Sequence, residues 1–262
     1  YVFLLLSIAT LHGSAQQVNI SKKIQQAMNR IDTNTIRSHI AYLADDKLKG
    51  RLPGTEGYQM AVDYVLEQYK KMGVAPGGDN GGYTQKLVLR RSVLNNKSAV
   101  AVLKDKQGNI DSLQFAVDYT AAPHPMFTNA KAEAELVFVG YGINAPEYGW
   151  NDYQGLDVKG KTVVVLVNDP GFATQDPALF TGNAMTYYGR WTYKYEEAAR
   201  QGAAMLLIVH ETEAASYGWN VVAGTSPIRF ELADANKNMH KAQVEGWLSL
   251  DAAERLFAAN GS

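Results

Sequence analysis

The sequence predicts an α/β protein, and three features support this fold class. Apolar, β-branched runs at residues 134–143, 161–169 and 204–211 are bounded by Gly, Pro or Asn, as buried strands usually are. A helical stretch at residues 193–202 separates the last two runs. Earlier in the chain, residues 56–72 carry the apolar spacing of a long amphipathic helix. The length of 262 residues suits one large domain or two smaller ones.

The long helix has clear start and stop signals. Thr55 can cap its first turn and Glu56 suits the positive end of the helix dipole. Lys70 and Lys71 fall in the last turn and Gly73 follows them. The preceding stretch "KGRLPGTEG" is rich in glycine and proline, so a loop is expected there.

Composition excludes several classes of function. The net charge of -1 provides no basic field for nucleic acid, so a nucleic-acid partner is not expected. The chain has no cysteine, which excludes thiolate catalysis, disulfides and cysteine-ligated zinc in these residues.

The first residues indicate export. The apolar run "YVFLLLSIATLHGSA" ends in a small-x-small pattern, which is typical of a secretory signal peptide. We therefore predict a partial signal peptide over residues 1–15 and a periplasmic or extracellular location. The run is too short for a stable membrane anchor. A buried strand is the alternative interpretation.

Residues 155–162 match the phosphate-loop pattern G-x-x-x-x-G-K-[ST] at every fixed position. In a phosphate loop, a strand leads into the glycines and a helix follows the Lys-Thr pair. Here a turn-rich stretch comes before the motif and a run of valines comes after it. The order is reversed, so we predict a tight turn entering a buried strand and no nucleotide partner.

Other catalytic motifs are incomplete. His210 begins "HETEA", which lacks the second histidine of an HExxH zinc motif, and no histidine is followed two residues later by Asp. His210 is therefore expected to be a capping or surface histidine. "GTSPI" lacks the final glycine of a nucleophile elbow. We assign no catalytic residue and no metal ligand within this sequence.

One cluster of aromatic and basic residues could serve recognition. The stretch "YYGRWTYKY" places five aromatic residues around Arg190 and Lys194. Such a composition is enriched in recognition surfaces, although aromatic core packing ahead of a helix is the alternative. Both interpretations stay open on the sequence alone.

The order of these motifs resembles the co-catalytic dizinc aminopeptidase family that includes aminopeptidase Y and glutamate carboxypeptidase. Residues 42–74 resemble the opening of its peptidase domain, where a "GR-x-PG-T/S-x-G" loop precedes the first long helix. Residues 138–170, 187–212 and 244–257 resemble the protease-associated domain inserted into many of these peptidases. Together the resemblance covers about residues 36–259.

The resemblance implies an incomplete phosphorylase/hydrolase-like α/β peptidase domain with an inserted, β-rich protease-associated domain. We expect residues 16–122 to belong to the peptidase domain and residues 123–262 to the insert, with a linker near the composition shift around Pro123 and Pro125. The family also implies two zinc ions, whose ligands follow the insert, so the fragment alone is expected to be inactive.

The function implied is removal of N-terminal residues from peptides by an exported zinc metallopeptidase. In relatives the insert covers the active-site cleft and contacts substrate, which makes Tyr188 and Arg190 candidate substrate-binding residues. The alternative is a non-catalytic module of protease-associated type that binds peptides or proteins.

Overall fold

The chain divides into two compact units between Lys86 and Leu87. The computed structural model describes residues 20–123, 129–224, 226–233 and 241–261. The signal-like segment at residues 1–15, together with His124 and Pro125 of the expected linker, lies outside these ranges. No helix within them is both long and apolar enough to cross a membrane.

The described residues of the first unit form three α-helices, each capped by the side chain that precedes it. They are α1 (Lys22–Met28), α2 (Thr33–Leu43) and α3 (Glu56–Lys71). Ser21, Asp32 and Thr55 each accept a hydrogen bond from a backbone N–H in the first turn that follows. The long helix predicted after Thr55 is therefore confirmed, including its cap.

The glycine-rich loop ahead of α3 is a tight, left-handed turn. Lys49, Gly50 and Arg51 have successive φ angles of 47°, 76° and 57°. Left-handed backbone is unfavourable for residues with a Cβ, so the surrounding structure must hold this turn in place. The anchor is Leu48, which is buried against Gly57 in the first turn of α3.

The second unit is built on a five-stranded mixed sheet with the strand order β4-β11-β9-β8-β5. Strands β5, β8, β9 and β11 run parallel and β4 pairs antiparallel with β11. Three two-stranded sheets, β1-β10, β2-β3 and β6-β7, complete the strands of the described ranges. The strands are β1 (Leu89–Val93), β2 (Ala101–Lys104), β3 (Ile110–Leu113), β4 (Tyr119–Pro123), β5 (Leu136–Phe138), β6 (Asn144–Ala145), β7 (Trp150–Asn151), β8 (Thr162–Leu166), β9 (Met205–His210), β10 (Ile228–Leu232) and β11 (Val244–Ser249).

Helices cover both faces of the main sheet. They are α4 (Pro170–Thr174), α5 (Trp191–Arg200), α6 (Thr212–Ala215), α7 (Trp219–Ala223) and α8 (Leu250–Ala259). Along β8, Val163 and Val165 pack with Ala198 of α5, whereas Val164 packs with Ala252 of α8 on the opposite face. This alternation follows from the two-residue period of a strand. Because both faces of β8 are buried, its sequence is a continuous run of apolar residues.

Strands β8 and β9 confirm two of the three buried runs predicted from the sequence, and the fold is a mixed α/β fold. The first run also forms a strand, but β5 lies at the edge of the sheet and is only partly buried, with Phe138 46% exposed. The expected division between residues 122 and 123 does not coincide with the division between the units. Strand β4, which ends at Pro123, is part of the main sheet through its pairing with β11, and β1 pairs with β10. Residues 87–122 belong to the second unit because β1 and β4 pair with strands more than a hundred residues later in the chain.

The phosphate-loop pattern forms a turn and then a strand, as predicted. Gly155 and Gly160 have φ angles of 78° and 70°, and Thr162 begins β8. The Lys161 ammonium lies 3.0 Å from the Glu135 carboxylate. The residues after the motif are buried in the sheet, with no helix at the position where a phosphate loop has one.

Replacing Gly57 by alanine should destabilise the first unit. A Cβ at this position would lie 1.9 Å from the carbonyl oxygen of Leu48, which is too close for any two heavy atoms. We expect Gly57→Ala to cost about 2 kcal/mol or more, although alanine normally stabilises a helix by about 1 kcal/mol relative to glycine. Urea unfolding followed by circular dichroism measures the change.

Gly77→Ala is the matched control, because a Cβ there meets no atom within 4 Å. An unchanged or higher stability of Gly57→Ala would contradict the close packing of Leu48 on α3.

Candidate functional site

The carboxyl edge of the main sheet brings together four buried polar residues of the second unit. Parallel strands end at the same edge, and ligands of open α/β sheets bind beside that edge. Asn168 and Asp169 follow β8, and His210 is the last residue of β9. Lys194 reaches the same region from α5, and all four residues are buried.

Lys194 is the centre of this polar group. Its side chain is fully buried, and its ammonium donates hydrogen bonds of 2.6 Å to the Tyr141 carbonyl and 2.7 Å to the Asn168 carbonyl. Burial lowers the pKa of Lys194 to about 7, and the nearby Asp152 and Asp169 carboxylates oppose that change. One side chain thus joins α5 to the turns that follow β5 and β8.

Asp169 holds the loop that precedes α5. One carboxylate oxygen accepts the Gly171 N–H at 3.2 Å, which caps α4. The other accepts the Thr186 N–H at 2.9 Å and the Thr186 hydroxyl at 2.7 Å. Gly189 lies so close that a Cβ on it would be 3.1 Å from this second oxygen. The segment from Thr186 to Arg190 is therefore fixed against the edge of the sheet.

The aromatic residues of this region form a packed cluster with an exposed rim. Phe180 and Tyr193 are buried, and Tyr148 stacks on Phe180 with ring centroids 4.3 Å apart. Tyr187 and Trp191 are exposed. Both interpretations of the aromatic stretch thus find a counterpart: its inner members are core, and its outer members are available for recognition.

Tyr188 lies at the boundary between core and surface. Its ring contacts Tyr148, Phe180 and Tyr193 edge-on, with centroids 6.2, 5.9 and 4.9 Å away. Its hydroxyl donates a hydrogen bond to the Glu147 carboxylate, and this bond raises the pKa of Tyr188 to about 12. Tyr188 is thus a neutral, half-buried ring held in one orientation.

Arg190, two residues after Tyr188, is more exposed than that tyrosine. Its backbone precedes the first turn of α5, its side chain is exposed, and no acidic side chain within the described ranges forms an ion pair with it. The fixed loop thus presents an unpaired cation two residues away from Tyr188.

His210 is buried and is not the capping or surface residue that the sequence suggested. Its ring lies 5.4 to 5.9 Å from the rings of Tyr217, Trp219 and Trp247. Its Nε2 atom has no hydrogen-bond partner within the described ranges. Burial lowers the pKa of His210. The correction arises because three aromatic residues from the segments after β9 and from β11 close over the end of the strand.

The described residues do not fit a dizinc centre. They contain no group of three or more His, Asp or Glu side chains arranged to hold a metal ion. Asp169, the most buried carboxylate of the edge, already accepts three hydrogen bonds from protein donors.

Sequence reasoning missed Asn168 and Asp169, and it named Lys194 only as a basic member of a possible recognition cluster, whereas the structure buries this lysine completely. The signal for the first two was present, because "ND" followed by proline at the end of a buried strand is typical of a capped helix start. Lys194 carried no such signal, since a lysine beside Glu196 and Glu197 in a helical stretch usually faces solvent.

Comparison with known proteins does not assign the chain to a family. No family model matches the sequence and no curated protein matches it. Among solved structures, an aminopeptidase from Aneurinibacillus sp. strain AM-1 is similar at 18% identity, with a TM-score of 0.39. The match covers 89% of this chain and 42% of that one. A TM-score this low does not establish a shared fold.

Removing the Lys194 ammonium should destabilise the second unit. Lys194→Met leaves the Tyr141 and Asn168 carbonyls without their donor in a buried site. We expect a loss of about 2–4 kcal/mol in the free energy of unfolding. Lys161→Met is the control, because its ion pair with the exposed Glu135 should contribute less than about 1 kcal/mol. Equal losses in the two variants would contradict a central role for Lys194.

The stability of the second unit should fall in mild acid because of His210. A histidine whose folded pKa is lowered binds its proton more readily when unfolded. The contribution of the neutral, buried His210 to stability is complete above about pH 6.5, which is the pKa of a histidine in the unfolded chain. This contribution is lost as the pH falls toward the lower pKa of His210 in the folded protein. His210→Gln should therefore reduce the slope of unfolding free energy between pH 7 and pH 5. Identical slopes in the two proteins would show that His210 does not titrate on unfolding.

Proposed function

We propose that this chain forms part of an exported zinc-dependent metallopeptidase that removes N-terminal residues from peptides. In this proposal the first unit supplies the opening helices of the catalytic domain. The second unit contains a domain of protease-associated type that covers the active-site cleft and helps to place the substrate. The described residues do not fit the two zinc ions, so in this proposal the metal ligands and the general base lie outside them.

The proposal rests mainly on the conformation of the loop before α3. The resemblance to the aminopeptidase family rests on the glycines and proline between Gly50 and Gly57, and each of three glycines has a separate structural role. Gly50 and Gly54 adopt left-handed φ angles of 76° and 82°, while Gly57 permits the contact with Leu48. The motif residues are thus those that this turn requires, which supports a shared turn and helix.

The exposed apolar residues of the first unit also favour the proposal. In α2, Ile36 and Ile40 leave 46% and 62% of their surface accessible, and Met72 at the end of α3 leaves 66%. Amphipathic helices gain most of their stability by burying such a face. We infer that these helices pack against further parts of a catalytic domain.

Metal dependence tests the proposed reaction. The complete protein should lose its activity on short peptides after treatment with a chelator and regain it when zinc is restored. Peptidase activity that survives exhaustive chelation would contradict the proposal. Reading the gene past the codon for Ser262 is a cheaper check, since the proposal requires a His-x-Asp motif and further Asp, Glu and His residues there.

Substitution of Tyr188 and Arg190 tests the role of the second unit. If both residues contact the peptide, Tyr188→Ala and Arg190→Ala in the complete protein should each raise KM by about three- to tenfold and leave kcat nearly unchanged. Lys106→Ala, in the exposed turn between β2 and β3, is the control. An unchanged KM in both site variants would exclude them as substrate contacts.

A further inference from the structure

We propose that the carboxylate of Glu147, together with the rings of Tyr148 and Tyr188, binds an ammonium or guanidinium group of a peptide. This inference rests on the proposed function, since it specifies which part of a peptide would lie beside Tyr188. Glu147 and Tyr148 belong to a 3-10 turn, Pro146–Tyr148, that joins β6 to β7.

The turn that carries Glu147 is held rigidly. The Tyr193 hydroxyl accepts the Asn144 N–H and also donates to the Asn144 carbonyl, both at 3.1 Å. Gly149 closes the turn with a φ of 62°. The buried Phe180 supports the ring of Tyr148 from below. A site built on such fixed groups loses little conformational entropy when it binds a ligand.

The charge of Glu147 is maintained and is not neutralised by the protein. The hydrogen bond from Tyr188 lowers the pKa of Glu147, so the carboxylate is ionised at neutral pH. No Lys, Arg or His side chain in the described parts of the chain forms an ion pair with it.

A second hydrogen-bonded tyrosine–carboxylate pair in the same region differs from the Tyr188–Glu147 pair. The Tyr187 hydroxyl donates to the Glu196 carboxylate at 2.7 Å, but that carboxylate also lies 3.8 Å from the Arg200 guanidinium. Glu196 therefore has a cation from its own chain, whereas Glu147 faces solvent with its charge uncompensated. This difference in pairing assigns the binding of an external cation to Glu147 and not to Glu196.

The neighbouring rings define the class of cation. Tyrosine rings attract cations over their faces within about 6 Å, and organic cations gain additional apolar contact there. Tyr148 is 37% exposed and stands edge-on to Tyr188, whose hydroxyl contacts the Glu147 carboxylate, so Tyr188 connects both rings to this carboxylate. A hard metal ion would instead require several oxygen ligands. Lysine and arginine side chains and a peptide N-terminus have the matching chemistry.

Binding of two model peptides to the purified chain tests the proposal. Acetyl-Ala-Lys-Ala-amide carries one ammonium group, and acetyl-Ala-norleucine-Ala-amide is a neutral peptide of similar size. In a nuclear magnetic resonance titration we expect the lysine peptide to bind about three- to tenfold more tightly, with shifts at Tyr148 and Tyr188. The preference should diminish at high salt.

Two isosteric variants test whether the preference for the lysine peptide depends on Glu147. Glu147→Gln can still accept the hydrogen bond from Tyr188, so it should keep the fold and lose the preference for the lysine peptide. Glu196→Gln removes the already compensated carboxylate and should keep the preference. A preference that survives in Glu147→Gln, or binding of neither peptide, would overturn the proposal.

The outcome separates this inference from the proposed function. Equal binding of both peptides at Tyr188 would overturn the cation site and leave a peptide-binding role intact. Selective binding of the lysine peptide by a complete protein that lacks metal-dependent peptidase activity would support the cation site and contradict the proposed enzyme.

Discussion

The hydrogen bonds from the Lys194 ammonium to two backbone carbonyls are the interaction on which the second unit depends most. They join three elements, the turn after β5, the turn after β8 and helix α5. A buried ammonium is costly unless its donors are satisfied, so these carbonyls must be in place when the unit folds. The adjacent Asp169 then fixes the loop that bears Tyr188 and Arg190.

This arrangement combines a packed aromatic core with an exposed aromatic rim. The inner aromatic residues, Phe180 and Tyr193, provide stiffness, and the outer ones provide contact area. Preorganised aromatic side chains lose little entropy on binding, which is why such residues are enriched in binding sites. No cation from the described residues pairs with the ionised Glu147, and we propose that an external cation binds there.

The sequence predicted those features that depend on local pattern. The strand after Lys161 and the helix after Thr55 follow from β-branched runs and capping residues within a few positions. Lys194 could not be predicted in this way, because its partners are 26 and 53 residues away in sequence. The pairing of β1 with β10 could not be predicted for a similar reason, because the two strands lie more than a hundred residues apart in sequence. Tyr188 and Arg190 remain predicted substrate contacts.

Amide hydrogen exchange at Thr186 tests the central role of Lys194 most directly, because that N–H is held by Asp169. Exchange should be compared in the wild-type chain and in Lys194→Met under conditions where both are folded. We expect faster exchange at Thr186 and its neighbours in the variant, with little change in the strands of the main sheet. Unchanged exchange at Thr186 in a folded variant would show that the loop is held independently of Lys194.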